Sequence, residues 1–180
     1  MNGRNMRSVK LAALAATGVL ALAGCATGNP QAAAYVDGHA IPQAEVDSVA
    51  HAVTTAGAAE SGTIAQGLVV QILIQNEIAK TVASDTKFTV TDAQREQLLT
   101  SSPALTAIAK DPAAAGFVND YTETYLLLQT DAGKQAFNDR FVKTDIVVNP
   151  RFGTWDPKQP GLVDGTAGGS ISELAPLKQG

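Results

Sequence analysis

The stretch Thr63 to Ser84, TIAQGLVVQILIQNEIAKTVAS, constrains this chain more than any other. Wound at about 100° per residue, it places Ile64, Ala65, Leu68, Val69, Ile72, Ala79, Val82 and Ala83 on one broad arc. Val70, Leu73, Ile74 and Ile78 extend the apolar surface round the sides, and Gln66, Glu77, Lys80 and Ser84 form a narrow polar strip. A helix apolar on most sides is surrounded by other elements, so the remaining helices are expected to wrap it. Gln71, Gln75, Asn76 and Glu77 make the run too polar for a membrane span. Gln71 and Gln75 sit one turn apart in the apolar arc, where amides need partners. They either bond to neighbouring backbone in the core or line a groove that accepts the backbone of an extended client peptide.

The start of the chain reads as a targeting segment. Arg4, Arg7 and Lys10 precede an apolar run from Leu11 to Leu22, followed by Leu22-Ala23-Gly24-Cys25. A basic region, a short apolar core and small residues before a cysteine have the form of a bacterial lipobox, in which the thiol is the acyl acceptor. The plainer alternative is an ordinary signal peptide with an incidental cysteine. The lipobox reading divides the chain into a signal peptide (1–24), a tether (25–33), a folded domain (34–149) and a Gly/Pro-rich tail (150–180). It locates the mature protein on the extracytoplasmic face of the cell membrane, held by lipid on Cys25, since two or three acyl chains anchor firmly where one does not. Cys25 is the single cysteine, which excludes an intrachain disulfide and a thiolate metal cluster. Without Arg4, Arg7 and Lys10, the 13 basic residues fall to 10 against 17 acidic, a net charge of -7. An acidic domain without a basic patch argues against nucleic acid as partner.

The rest of the pattern is mainly α. Ala34 to Ile41 holds Asp37-Gly38 between two short strand-like pieces, a type I′ hairpin signal. Pro42 closes the second strand and opens a helix from Gln43 to about Ala56. After the central helix, Lys87 to Val90 links to a capping box, Thr91-Asp92-Ala93-Gln94, and a short helix to Leu99. Ser102-Pro103 starts another helix, to about Lys110. Asp111-Pro112 starts a longer one, with Ala114, Phe117, Val118, Tyr121, Tyr125 and Leu128 on one face. A last helix through Lys143 is either capped by Asp131 or continuous with its predecessor through a kink at Gly133, with Phe137 and Phe141 in the core. Thr144 to Asn149 reads as a strand. Because a lone hairpin is marginal in water, Ile146-Val147-Val148 is expected to pair with it. The resulting fold is a small helical bundle with a two- or three-stranded sheet joining the chain ends. The tail beyond Pro150 is expected to be mostly unstructured, although Phe152 and Trp155 have either a covering role on the sheet or first helix or, with Arg151, a role closing one end of a client groove.

The order of these motifs resembles a known family. A lipobox, then Val36-Asp37-Gly38-x-x-Ile41 with Glu45 and Asp47 following, then LVVQILIQNEIAKTVASDTKFTVTDAQ, is similar to the N-terminal domain of the SurA, PrsA and trigger-factor class of chaperones. The run Val147-Val148-Asn149-Pro150-Arg151-Phe152-Gly153-x-Trp155-Asp156 is similar to the close of short actinobacterial lipoproteins grouped with SurA. The resemblance spans about residues 34–156. It implies extracytoplasmic handling of unfolded or extended exported polypeptides, with the helical domain holding apolar client segments. One departure matters. Family members commonly carry a parvulin prolyl isomerase domain with histidines in its site, and here the helices run almost to residue 143. The histidines, His39 and His51, both lie early, so the isomerase activity does not carry over.

No nucleophile motif, phosphate loop or metal-ligand spacing appears, and no cofactor or catalytic residue is expected. Asp37-Gly38 is turn chemistry, and Glu45 and Asp47 suit a helix N-terminus. The sequence therefore points to a membrane-tethered, chaperone-like holder of exported chains, with Gln71, Gln75 and Trp155 as candidate client contacts. An adaptor for one envelope partner and a prolyl isomerase are the alternatives.

Overall fold

A computed structural model of the chain describes residues 31–59, 63–156 and 161–163. It is mainly helical, with six α-helices and a small antiparallel sheet among the described residues. Strand β1 (Ala32–Val36) turns through Asp37 and Gly38 into β2 (His39–Pro42). Asp37 (φ 48°) and Gly38 (φ 82°) both take left-handed backbone, which a type I′ turn needs and which Asp and Gly tolerate best. The Asp37 carboxylate then reaches across the chain. It accepts from Arg140 Nη2 at 2.6 Å and from the Asp145 backbone N–H at 2.8 Å. This fastens the hairpin tip to the far end of the fold.

Helix α1 (Gln43–Thr55) starts directly after Pro42 and buries Val46, Val49, Ala50, Ala52 and Val53. It closes in a Schellman motif: Ala58 N–H donates to Val53 O and Gly57 N–H to Thr54 O, with Gly57 at φ 68°. Helix α2 (Thr63–Thr86) is the expected central helix. Between Ala65 and Ala79 every residue is buried except Gln66 and Glu77, which are half-buried. It ends in a second Schellman motif, with Phe88 N–H on Ala83 O, but here the left-handed residue is Lys87 (φ 55°). The expected capping box starts α3 (Asp92–Ser101): Gln94 N–H donates to Thr91 Oγ1 and Thr91 N–H to Gln94 Oε1. Ser102 caps α4 (Pro103–Ile108), and Leu105 and Ile108 seal it to the core.

A short 3-10 turn at Pro112–Ala114 leads into α5 (Ala115–Leu128). Its buried set is wider than the single face read from the sequence. Phe117, Val118, Tyr121, Thr122, Thr124, Tyr125 and Leu127 are all inside, while Leu128 is only half-buried. The break before α6 (Asp131–Phe141) is made one residue earlier than expected, by Thr130, whose hydroxyl accepts from Gly133 N–H at 3.0 Å. A Cβ on Gly133 would collide with the Leu127 carbonyl oxygen, so the glycine permits the close approach of the two helices rather than a kink.

Strand β3 (Ile146–Val148) pairs antiparallel with β1 on the side opposite β2, giving the order β2-β1-β3. The sheet thus joins the two ends of the helical run, with Ala34, Val36 and Ile41 facing the core. Two edges of the expected plan shift. Ala32 and Ala33, assigned to the tether, are buried residues of β1. The segment expected to lose structure at Pro150 instead forms a 3-10 turn, Pro150–Phe152, and then β4 (Thr154–Asp156), paired antiparallel with β5 (Gly161–Val163). The physical reason is Phe152, which is buried among the core side chains and holds the segment down. The remaining tail, and the targeting segment with Cys25, lie outside the described residues.

Candidate functional site

The proposed client contacts separate in space. Gln71 is 4% exposed and Gln75 8%, and Asn76 beside them is 1% exposed. In this conformation none of the three offers its amide to an external peptide, and the groove expected along α2 is filled by the protein's own helices. Asn76 instead opens a polar seam between α2 and α5. Thr124 Oγ1 donates to Asn76 Oδ1 at 2.8 Å, and Thr122 returns its hydroxyl to Val118 O in its own helix. Gln75 Oε1, Asn76 Nδ2 and the Tyr125 hydroxyl are buried with no hydrogen-bond partner among the described residues. Burial raises the pKa of Tyr125, and of Tyr121 next to it, so both phenols are neutral.

At its outer end the seam is closed by charge. Lys80 Nζ lies 2.8 Å from Glu77 Oε1 and 2.8 Å from Asp120 Oδ2, bridging α2 to α5. Burial alone would lower the Lys80 pKa. The hydrogen bonds to Asp120 and Glu77, with their charges, outweigh it, and the net shift is upward. Glu45 comes from α1 toward the same group. Loss of hydration raises its carboxyl pKa; Lys80 pulls the other way, and Asp120 and Glu77 add to the rise. Nothing in the local sequence around Glu45, Lys80 or Asp120 announces this meeting of three helices. Only the packing brings them together.

Trp155 is half-buried. Its ring leans on Phe141, with centroids 5.6 Å apart and planes at 48°. Phe152 is buried, and the Arg151 guanidinium lies 4.8 Å from the centre of its ring. Phe152 and Trp155 therefore cover α6 and the core rather than the first helix expected from the sequence, because Phe141 offers Trp155 an aromatic face. His39 and His51 are exposed. Among the described residues no group of three or more His, Cys, Asp or Glu converges as a metal site, and no helix is long and apolar enough to cross a membrane.

The described surface carries hollows away from α2. One, of about 380 Å³, is lined by Gln31, Ala32, Ala40, Pro42, Gln43, Ala44 and Asp47, where β1 begins and α1 starts. Another is a shallow depression on the outer side of α3, lined by Ala93, Glu96, Gln97, Thr100 and Ser101. Neither touches α2. The exposed large apolar side chains are Val142 (71%) and Val147 (55%), the first in the turn after α6 and the second on the outer face of β3. Val142 sits at the end marked by the Asp37–Arg140 pair, and Val147 lies across from Tyr35 in the middle of the sheet. No family model, curated protein or solved structure matches this chain.

Proposed function

We propose that this protein is a lipid-anchored extracytoplasmic interaction module, whose helical domain docks on a protein partner of the cell envelope and carries out no chemical step. The observation that supports docking over general chain-holding is the closure of α2. Its apolar arc is covered from Ala65 to Ala79, and the large apolar side chains left in water are Val142 and Val147 among the described residues. A holder of many unfolded chains needs a wide apolar surface, whereas a specific partner needs only a small patch with a polar surround. The lipobox at Cys25 supports the anchor.

The second reading is the chaperone-like one, supported by the SurA-like order of motifs between residues 34 and 156. It requires the covered arc of α2 to become accessible when unfolded or extended exported polypeptides bind. Two measurements divide the readings. The soluble form starting after Cys25 is expected to leave the aggregation of an unfolding model protein unchanged, and crosslinking in intact envelopes is expected to give one stoichiometric adduct that weakens in Val142→Ser, Val147→Ser. Suppression of aggregation at equimolar protein, with many heterogeneous adducts, would replace docking by chain-holding. Catalysis of prolyl isomerisation by the same soluble form would overturn both.

A further inference from the structure

We propose that the end of the domain where β1 begins lies against the bilayer, and that Arg151 there pairs with the phosphate of a lipid headgroup. The inference rests on the lipid-anchored reading of Cys25 and adds an orientation and a contact to it.

The argument starts from the length of the tether. Five residues, Ala26 to Pro30, separate Cys25 from Gln31. Whatever their conformation, five residues reach at most about 20 Å. The start of β1 therefore stays near the headgroups whatever the rest of the domain does. Several bonds define what surrounds that point. Gln43 N–H donates to Gln31 O at 2.7 Å, Asn149 N–H to Ala33 O at 2.9 Å, and Asn149 Nδ2 to Ala32 O at 3.2 Å. Asn149 Oδ1 in turn accepts from Arg151 N–H at 3.2 Å. Arg151 is thus fixed beside the residue at which the tether enters the fold.

Its side chain suits a phosphate. Arg95 and Arg140 each pair with an aspartate, whereas Arg151 has no carboxylate partner among the described residues. It is exposed, and its guanidinium is steadied over the buried ring of Phe152, so little freedom remains to be lost on pairing. Asp47, which lines the hollow where β1 and α1 begin, is already engaged by Gln66 Nε2 at 2.7 Å and Gln43 Nε2 at 3.5 Å. Strand β1 then runs away from the membrane, and its length of five residues, about 16 Å, carries the hairpin tip and Val142 outward. The surface left for a partner is the distal one.

The test uses the acylated full chain in vesicles of phosphatidylglycerol, with a fluorophore on one introduced cysteine, Ala44→Cys at the proximal end or Val142→Cys at the distal end. Headgroup-borne quenchers are expected to act strongly at position 44 and weakly at 142. One cation near an anionic surface shifts orientation by about fivefold, and Arg151→Gln is expected to remove about that much of the asymmetry while Arg151→Lys restores it. Vesicles of an uncharged glycolipid, which lack phosphate, should behave as Arg151→Gln does, and free inorganic phosphate should not compete at concentrations that leave vesicle binding intact. Equal quenching at both positions, or an asymmetry unmoved by Arg151→Gln or kept on the glycolipid, would overturn the proposal alone. Mass spectrometry showing an unmodified Cys25 would overturn the anchored reading and the proposal with it.

Discussion

The Glu45 side chain stays exposed, yet partial loss of hydration holds its carboxyl above its ordinary pKa of 4.5 against the pull of Lys80, so its ionised form works slightly against the fold. A carboxyl raised on folding weakens stability as pH climbs from the unfolded to the folded pKa, and the full penalty is present above both. Glu45→Gln is therefore expected to raise the urea midpoint at pH 7, with the gain shrinking as pH falls through the folded pKa and absent below 4.5. Lys80 has the opposite sign: its pKa is raised by Asp120 and Glu77, so with those carboxylates charged its contribution is complete up to pH 10.5 and fades only in stronger alkali. In the seam beside it, Thr124→Val would leave Asn76 Oδ1 buried without its 2.8 Å donor, at a cost of about 1–3 kcal/mol. Adding Asn76→Leu should recover much of that loss, because the polar pair is then replaced whole; urea unfolding of the two variants measures the difference. Sequence periodicity puts Gln71, Gln75 and Asn76 among apolar neighbours but cannot choose between a buried amide and a groove-lining one. For Asn76 that choice is made by α5, whose Thr124 lies 48 positions away.

At the level of elements, the strong local signals proved readable. Thr91 to Gln94 caps α3 as its side chains suggest, and Asp37-Gly38 makes its turn. The start of α6 moved by one residue because Thr130 and Asp131 are both good caps and only one hydroxyl or carboxylate could take the Gly133 N–H. Strands β4 and β5 escaped notice because three residues are too few for a period-two pattern, and their anchor, Phe152, acts through distant core residues. The termination of α2 carries an untapped gain. Lys87 occupies left-handed backbone at φ 55°, where a side chain is strained and glycine is not. Its Schellman bonds come from the backbone, so Lys87→Gly keeps them and is expected to stabilise the protein by about 0.5–1 kcal/mol, read as a higher thermal midpoint.

For the whole molecule, the question is where the folded unit stops. Phe152 is 4% exposed and Trp155 rests on Phe141, so the core includes residues beyond β3. A chain ending after Asn149 is expected to lose about 3–5 kcal/mol, the cost of emptying a buried aromatic site, whereas one ending after Val163 retains Phe152 and Trp155 and should avoid that loss. A truncation series followed by circular dichroism separates the two. If a partner binds at Val142 and Val147, both truncations leave those residues in place, so loss of binding only in the shorter chain would report loss of fold.

The pairing of β1 with β3 also sets how the domain answers a mechanical load. The two strands are antiparallel, and Ala32 and Asn149 lie at the same end of them, joined by the Asn149 bonds to Ala32 O and Ala33 O. A tug between the chain before Ala32 and anything gripping it past Val148 meets these rungs one at a time, as a zip does, rather than all together in shear. Pulled in that direction the sheet should part at low force, beginning at Asn149, while a pull through the Asp37 tip should meet far more resistance; optical-tweezer traces along the two axes would show the contrast.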